Sequence, residues 1–154
     1  MQVRVQTEDF DPGDVIHDLG NGRPDMGAIV TFLGLVRDMS GTGAVEAMTL
    51  EHYPGMTEQS LEAIVAEAEG RWSLQDITVI HRVGRLEPAD RIVMVAVASA
   101  HRGDAFAACE FIMDYLKTRA PFWKKEETPA GARWVEARDS DDSAAARWKE
   151  RGQA

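Results

Sequence analysis

Apolar and polar positions along the chain separate into short strand-like segments and longer helical ones. Some strand-like segments alternate in polarity, as QVRVQ does at 2–6, and others are apolar runs rich in β-branched residues, as IVMVAVAS is at 92–99. The predicted strands are residues 2–6, 27–36, 45–52, 76–83 and 91–99, together with 122–126 and 132–136, which are predicted to pair as a hairpin across TPAGA.

Two long helices are predicted over residues 54–71 and 103–119, where apolar side chains recur three and four positions apart. Pro121 prevents the second helix from continuing. Shorter helices are predicted over residues 12–20, after an Asp-Pro start signal, and over 140–149.

The order of these elements predicts an α+β fold. Strands and helices follow one another without a regular βαβ order, and several strands are joined by short links. We therefore expect mostly antiparallel strands, with the helices packed on one side of the sheet. A length of 154 residues suits one domain that spans residues 1–154.

Composition excludes several classes of function. A net charge of −9 argues against nucleic acid or an anionic membrane as the main partner. The longest apolar run, residues 92–100, is too short to cross a bilayer, and the first residues lack the apolar core of a signal peptide, so we expect a soluble cytoplasmic protein. The single cysteine, Cys109, excludes an internal disulfide, and the four histidines lack the spacing of a metal motif.

Positive charge is nevertheless concentrated in one part of this acidic chain. Residues 101–138 hold seven Lys and Arg residues against six Asp and Glu, and DYLKTRAPFWKKE at 114–126 places four cations beside a proline and two aromatics. Such a cluster is either solvated surface or a site for an anionic ligand.

Two lysine positions in this segment are candidates for chemistry. Lys117 lies near the end of the second long helix, where the Pro-Phe-Trp segment could shelter its ammonium group from water. Burial and nearby cations favour the neutral amine, which can act as base or nucleophile; the alternative is an ordinary lysine favoured by the helix dipole. Lys124 and Lys125 point to opposite faces of a strand, so at most one shares a face with Lys117, and alternation does not say which.

Other polar residues stand where strands end. His101 and Arg102 link the most apolar strand to the second long helix, a junction that suits an anion or a simple capping role. Arg37 precedes a glycine-containing loop at 38–43, where it could grip a ligand or form a surface ion pair. His81 is predicted to be a half-buried strand residue, and Cys109 an inert thiol on an apolar helix face.

In their order and spacing, six segments resemble the large, catalytic subunit of molybdopterin synthase. They are GAIVTFLGLVRD (27–38), LEHYPGM (50–56), IHRVGRL (80–86), SAHRGDAF (99–106), DYLKTRAPFWKKE (114–126) and RWVEARDSD (133–141). The resemblance covers nearly the whole chain and implies an α/β hammerhead-like fold.

The resemblance also implies a function. Enzymes of this family are cytoplasmic sulfurtransferases of molybdenum cofactor biosynthesis, which need no cofactor or metal of their own. They convert cyclic pyranopterin monophosphate into molybdopterin by forming its dithiolene. The sulfur comes from the C-terminal Gly-Gly thiocarboxylate of a small ubiquitin-like subunit, and a homodimer of large subunits forms the centre of a heterotetramer.

The resemblance further implies roles for six residues. Lys117 and Lys124 match the catalytic lysines, and the remaining four match residues that bind the substrate's anionic groups: Arg37, His101, Arg102 and Arg138. In the family, the equivalent of Arg138 reaches the site of the other protomer.

Three alternatives remain open on the residues alone. The chain could be a non-catalytic module that binds an anion or a protein tail, for which a neutral lysine would be unnecessary. It could be a sulfurtransferase that carries a persulfide on Cys109. A nucleic-acid binder fits worst, because no continuous basic face is predicted.

Overall fold

The computed structural model describes residues 1–38, 46–135 and 139–151, and within them the chain forms eight strands and four helices. In chain order these are β1 (Gln2–Gln6), α1 (Pro12–Gly20), β2 (Ala28–Leu35), β3 (Ala47–His52), α2 (Met56–Arg71), β4 (Asp76–Arg82), β5 (Gly84–Leu86), β6 (Arg91–Ser99), α3 (Arg102–Arg119), β7 (Phe122–Thr128), β8 (Gly131–Val135) and α4 (Asp139–Arg151).

The first sheet has the strand order β1-β4-β6-β2. Strand β1 pairs with β4 in parallel, and the other two pairings are antiparallel. Its central strand β6 is the predicted apolar run, and residues Val93 to Ser99 are buried. Strand β2 lies at an edge of this sheet and keeps Phe32, Leu33 and Leu35 exposed.

The second sheet has the strand order β5-β3-β7-β8, and all its pairings are antiparallel. The predicted hairpin is confirmed as β7 and β8, closed where Thr128 pairs with Gly131. Strand β5 was missed by the sequence pattern because three residues are too few to show a period. Gly84 adopts φ +89°, a left-handed conformation that favours glycine, at the point where the chain leaves β4 for the second sheet.

Helices cover both faces of the first sheet, so the expectation that all pack on one side is wrong. Alternate residues of β6 face opposite ways: Val93, Val95 and Val97 pack with α2 and α3, whereas Met94, Ala96 and Ala98 pack with α1. A strand buried on both faces needs apolar residues at every position, which is why 91–99 reads as a continuous apolar run.

Helix α4 is held against α3 by aromatic and polar contacts. The indole Nε1 of Trp148 donates to the Asp114 carboxylate at 2.6 Å, and Arg147 donates to the same carboxylate at 2.8 Å. Trp148 is buried edge-on against Trp72 and Phe111. None of the described helices is long and apolar enough to span a membrane.

Candidate functional site

The C-terminal turn of α3 brings Lys117 to one end of the first sheet. Helix α3 starts just after β6 and runs back along it, so its last turn lies near the beginning of β6. There the charge of Lys117 is close enough to His81 of β4 to lower that histidine's pKa. The Lys117 side chain is exposed in the single chain, so the predicted shelter from water is not found within one protomer.

His81 is a buried imidazole with a defined tautomer. Its Nδ1 lies 2.8 Å from the carbonyl oxygen of Arg82; a carbonyl only accepts, so Nδ1 carries the hydrogen. The pKa of His81 is lowered to about 4, mainly by burial; the bond to Arg82 raises the pKa, and charges on Lys117 and His52 lower it. The ring is therefore neutral at neutral pH. It is 5% exposed, so it is more deeply buried than the sequence predicted.

The ring of His81 stacks on Phe122, the first residue of β7. The two ring centroids are 3.9 Å apart and the planes are inclined by 21°. Because His81 belongs to the first sheet and Phe122 to the second, this stack joins the two sheets beside Lys117. No pattern in the sequence indicates this contact, since the two residues are 41 positions apart.

The stack also distinguishes Lys124 from Lys125. Side chains two positions apart share a face of a strand, so Lys124 points to the same face of β7 as Phe122. Lys125 points to the opposite face, where its Nζ lies 5.6 Å from the ring centroid of Trp134. Lys124 is thus the lysine of β7 that shares a face with the His81–Phe122 stack. The buried carboxylate of Glu126, which sequence reasoning did not single out, lies on this face as well.

Arg37 lies at the same end of the first sheet. It follows β2 by two residues; Leu35 at the end of β2 pairs with Arg91, and His81 pairs with Val93 on the same neighbour, β6. We call this the lysine end, defined by Arg37, His81 and Lys117. Its position is compatible with the ligand-binding role that the sequence predicts for Arg37.

His101 and Arg102 lie at the opposite end of the same sheet, and both are exposed. They begin α3, next to the pairing of Ala28 with Ser99. Arg102 and Lys117 are separated by fifteen residues of helix, or about 22 Å along its axis. A single protomer therefore does not bring these four predicted site residues, His101, Arg102, Lys117 and Lys124, into one place. Arg138 lies outside the described residues.

Cys109 packs in the core, as predicted. Its Sγ donates toward the carbonyl oxygen of Val95 at 3.8 Å, and burial raises the pKa of the thiol to about 11. A thiol with this pKa is almost fully protonated at pH 7 and is a poor nucleophile. Within the described part of the chain, no three His, Cys, Asp or Glu residues are grouped to hold a metal ion.

Comparison with known proteins identifies the family. A protein-family model described as "MoaE protein" matches residues 5–119. The chain belongs to the MoaE family. It is 62% identical to the molybdopterin synthase catalytic subunit of Ralstonia nicotianae over 146 residues, covering 95% of this chain and 83% of the relative. It is 58% identical to that of Cereibacter sphaeroides over 148 residues, covering 96% of this chain and 100% of the relative.

Solved structures of MoaE proteins share the fold. The Burkholderia ambifaria MoaE protein superposes with a TM-score of 0.82 at 58% identity, covering 96% of this chain and 97% of that one. A Helicobacter pylori structure, described as a complex of subunits 1 and 2 of molybdopterin-converting factor, has a TM-score of 0.74 at 15% identity over 88% of this chain and 91% of that one, which indicates the fold alone. The family and the α+β fold class predicted from the sequence are confirmed.

Proposed function

We propose that this MoaE protein is the catalytic subunit of a molybdopterin synthase. It transfers sulfur from the C-terminal Gly-Gly thiocarboxylate of a small ubiquitin-like subunit to cyclic pyranopterin monophosphate, and forms the dithiolene of molybdopterin. The observation that carries this proposal is that Lys124 shares a face of β7 with Phe122, whose ring stacks on His81 close to Lys117, in a chain whose relatives are named for this enzyme. We place the reaction in the cytoplasm and assign it to one domain, residues 1–154.

The lysine end suits the chemistry of two anions. A thiocarboxylate and a phosphorylated pterin both carry negative charge, and Lys117, Lys124 and Arg37 supply positive charge in an otherwise acidic protein. Lys117 acts as base or attacking amine, and Lys124 stabilises the negative charge that develops during transfer. Each thiocarboxylate carries one sulfur atom, so a dithiolene requires two of them.

The exposure of Lys117 bears on how water is excluded. The side chain is open to solvent in the single chain, so an extended tail has access to it. A bound tail would itself cover the lysine and limit the hydrolysis of the thiocarboxylate. No cysteine of this chain has to carry the sulfur, which agrees with the buried, protonated thiol of Cys109.

The distant position of His101 and Arg102 supports a site shared between two copies of the chain. Strand β2 is an edge strand with exposed Phe32, Leu33 and Leu35, a surface suited to a second copy. If two copies pair along β2 about a two-fold axis, the strands run antiparallel. The His101 end of one copy then lies beside the lysine end of the other, and the phosphate is held by the partner's cations.

The test is an assay for dithiolene formation with thiocarboxylated carrier and cyclic pterin. We expect Lys117→Ala and Lys124→Ala each to lower turnover by about 100-fold or more, because each removes a charge or proton-transfer group at the reacting atoms. Lys125→Ala is the matched control: it removes the same charge from the opposite face of β7 and should keep near-normal turnover.

Three results would contradict the proposal. The first is a wild-type protein that forms no dithiolene with these substrates, and the second is near-normal turnover by Lys117→Ala. Equal losses in Lys124→Ala and Lys125→Ala would show that general positive charge matters and not the face on which it lies. Carrier binding by Lys117→Ala, measured separately, should stay within a few-fold of wild type, because most single side chains in a protein interface contribute little to affinity.

A further inference from the structure

The stack of His81 on Phe122 connects β4, close to Lys117, with β7, the strand that carries Lys124. His81 stands near the end of β4 in the first sheet, and Phe122 begins β7 in the second. The charge of Lys117 lowers the pKa of His81, and Phe122 lies on the same face of β7 as Lys124. The contact is therefore a physical link between the elements that carry the lysines.

The ring of His81 is held on its edge and on its face. On the edge, Nδ1 donates to the carbonyl oxygen of Arg82, which restricts rotation about the Cβ–Cγ bond. On the face, the 3.9 Å stack with Phe122 leaves little space for the ring to tilt. A side chain restrained in both ways transmits the position of β4 to the first residue of β7.

Burial is the main reason that the ring is neutral. The charges on Lys117 from α3 and His52 from β3 also favour the neutral form, whereas the backbone carbonyl of Arg82 on its own strand favours the protonated one. A cationic ring at this position would repel Lys117, and a buried charge next to Phe122 would lose its hydration. The neutral ring can stack at close range without disturbing the lysine.

We propose that His81 is a positioning residue, whose ring, stacked on Phe122, sets the position of Lys124 relative to Lys117. The inference rests on the proposed function, because it assigns His81 a part in the reaction that the two lysines carry out. A displacement of about 1 Å in a catalytic group can cost on the order of 100-fold in rate. Loss of a stack that holds the strand of one lysine against the helix of the other should therefore lower kcat.

The experiment compares kcat and KM for the pterin in three variants of the full-length protein with its carrier. In His81→Asn, the amide can still donate to the Arg82 carbonyl but cannot stack, and we expect kcat to fall about tenfold while KM stays within about twofold. His81→Phe restores an aromatic face for Phe122 and should recover kcat to within about twofold of wild type. Val79→Ala is the control for general destabilisation, since it removes buried volume from the same face of β4 two residues away.

Phe122→Leu tests the stack where His81→Asn does not fold, and a double-mutant cycle applies where both single variants fold. Phe122→Leu keeps an apolar side chain but removes the stack from the other side, and it should lower kcat about as much as His81→Asn. The double variant should then lose no more than either single variant, because both changes remove the same contact.

The outcomes separate the inference from the function on which it rests. If the wild-type protein makes no dithiolene, the proposed function fails. If the wild type is active and His81→Asn or Phe122→Leu keeps its kcat, the inference alone is wrong. It is equally wrong if Val79→Ala loses as much kcat, if His81→Phe is as slow as His81→Asn, or if the two stack variants lower kcat independently.

Discussion

Replacing His81 by Phe should remove a specific dependence of folding stability on pH. In the folded protein the pKa of His81 is lowered to about 4, mainly because the ring is buried. In the unfolded chain the ring is hydrated and its pKa returns to the ordinary value of 6.5. Between these two pH values the unfolded chain binds a proton on His81 that the folded protein does not bind, so acid favours unfolding.

The size of the effect follows from the two pKa values. The contribution of His81 to the free energy of unfolding is complete above pH 6.5 and is lost as the pH falls toward 4. By pH 5 the linkage relation predicts a loss of about 2 kcal/mol relative to pH 7.5, with a limit of about 3 kcal/mol below pH 4. Phe cannot bind a proton, so His81→Phe should not show this loss.

The assay is urea unfolding at pH 7.5 and pH 5.0, followed by tryptophan fluorescence at a single protein concentration. Other groups with shifted pKa values, such as Asp9 beside Arg91, titrate in both proteins and cancel in the difference. The wild type should lose about 2 kcal/mol more than His81→Phe between the two pH values. Equal losses in the two proteins would refute a buried, neutral His81.

Two further predictions concern Cys109 and the sharing of the site. Cys109→Ala should keep near-normal dithiolene formation, because the buried thiol does not carry the sulfur that is transferred. A loss of activity in a folded Cys109→Ala protein would restore the persulfide alternative. Lys117→Ala and Arg102→Ala, each inactive alone, should recover about a quarter of wild-type turnover when co-expressed in equal amounts, because half of the random pairs contain one intact shared site. No recovery in verified mixed dimers would mean that Arg102 does not complete the partner's site.

Local sequence determined most of the secondary structure of this chain. Apolar periodicity located both long helices, and Pro121 explains why α3 ends where it does. Strand β5 could not be predicted in this way, because its three residues are recognised only by their pairing with β3. The sequence motifs also identified the family, since the order and spacing of several short segments are specific even when each segment is common.

For the candidate site, too, the sequence supplied the residues and the tertiary structure supplied their arrangement. Sequence pattern and family resemblance selected Lys117, Lys124, Arg37, His101 and Arg102 as candidates. The direction of α3 placed Arg102 about 22 Å from Lys117, with His101 just beyond the start of the helix, which residue spacing alone did not reveal.

Only the tertiary structure decided which lysine of the pair at 124 and 125 shares a strand face with the His81–Phe122 stack, and which face of the first sheet α1 covers. Strand alternation defines two faces but does not say what lies against each, because that depends on contacts between residues far apart in the chain. The same reason explains His81: its burial, its neutral charge and its stack on Phe122 arise only where two sheets and a helix end meet.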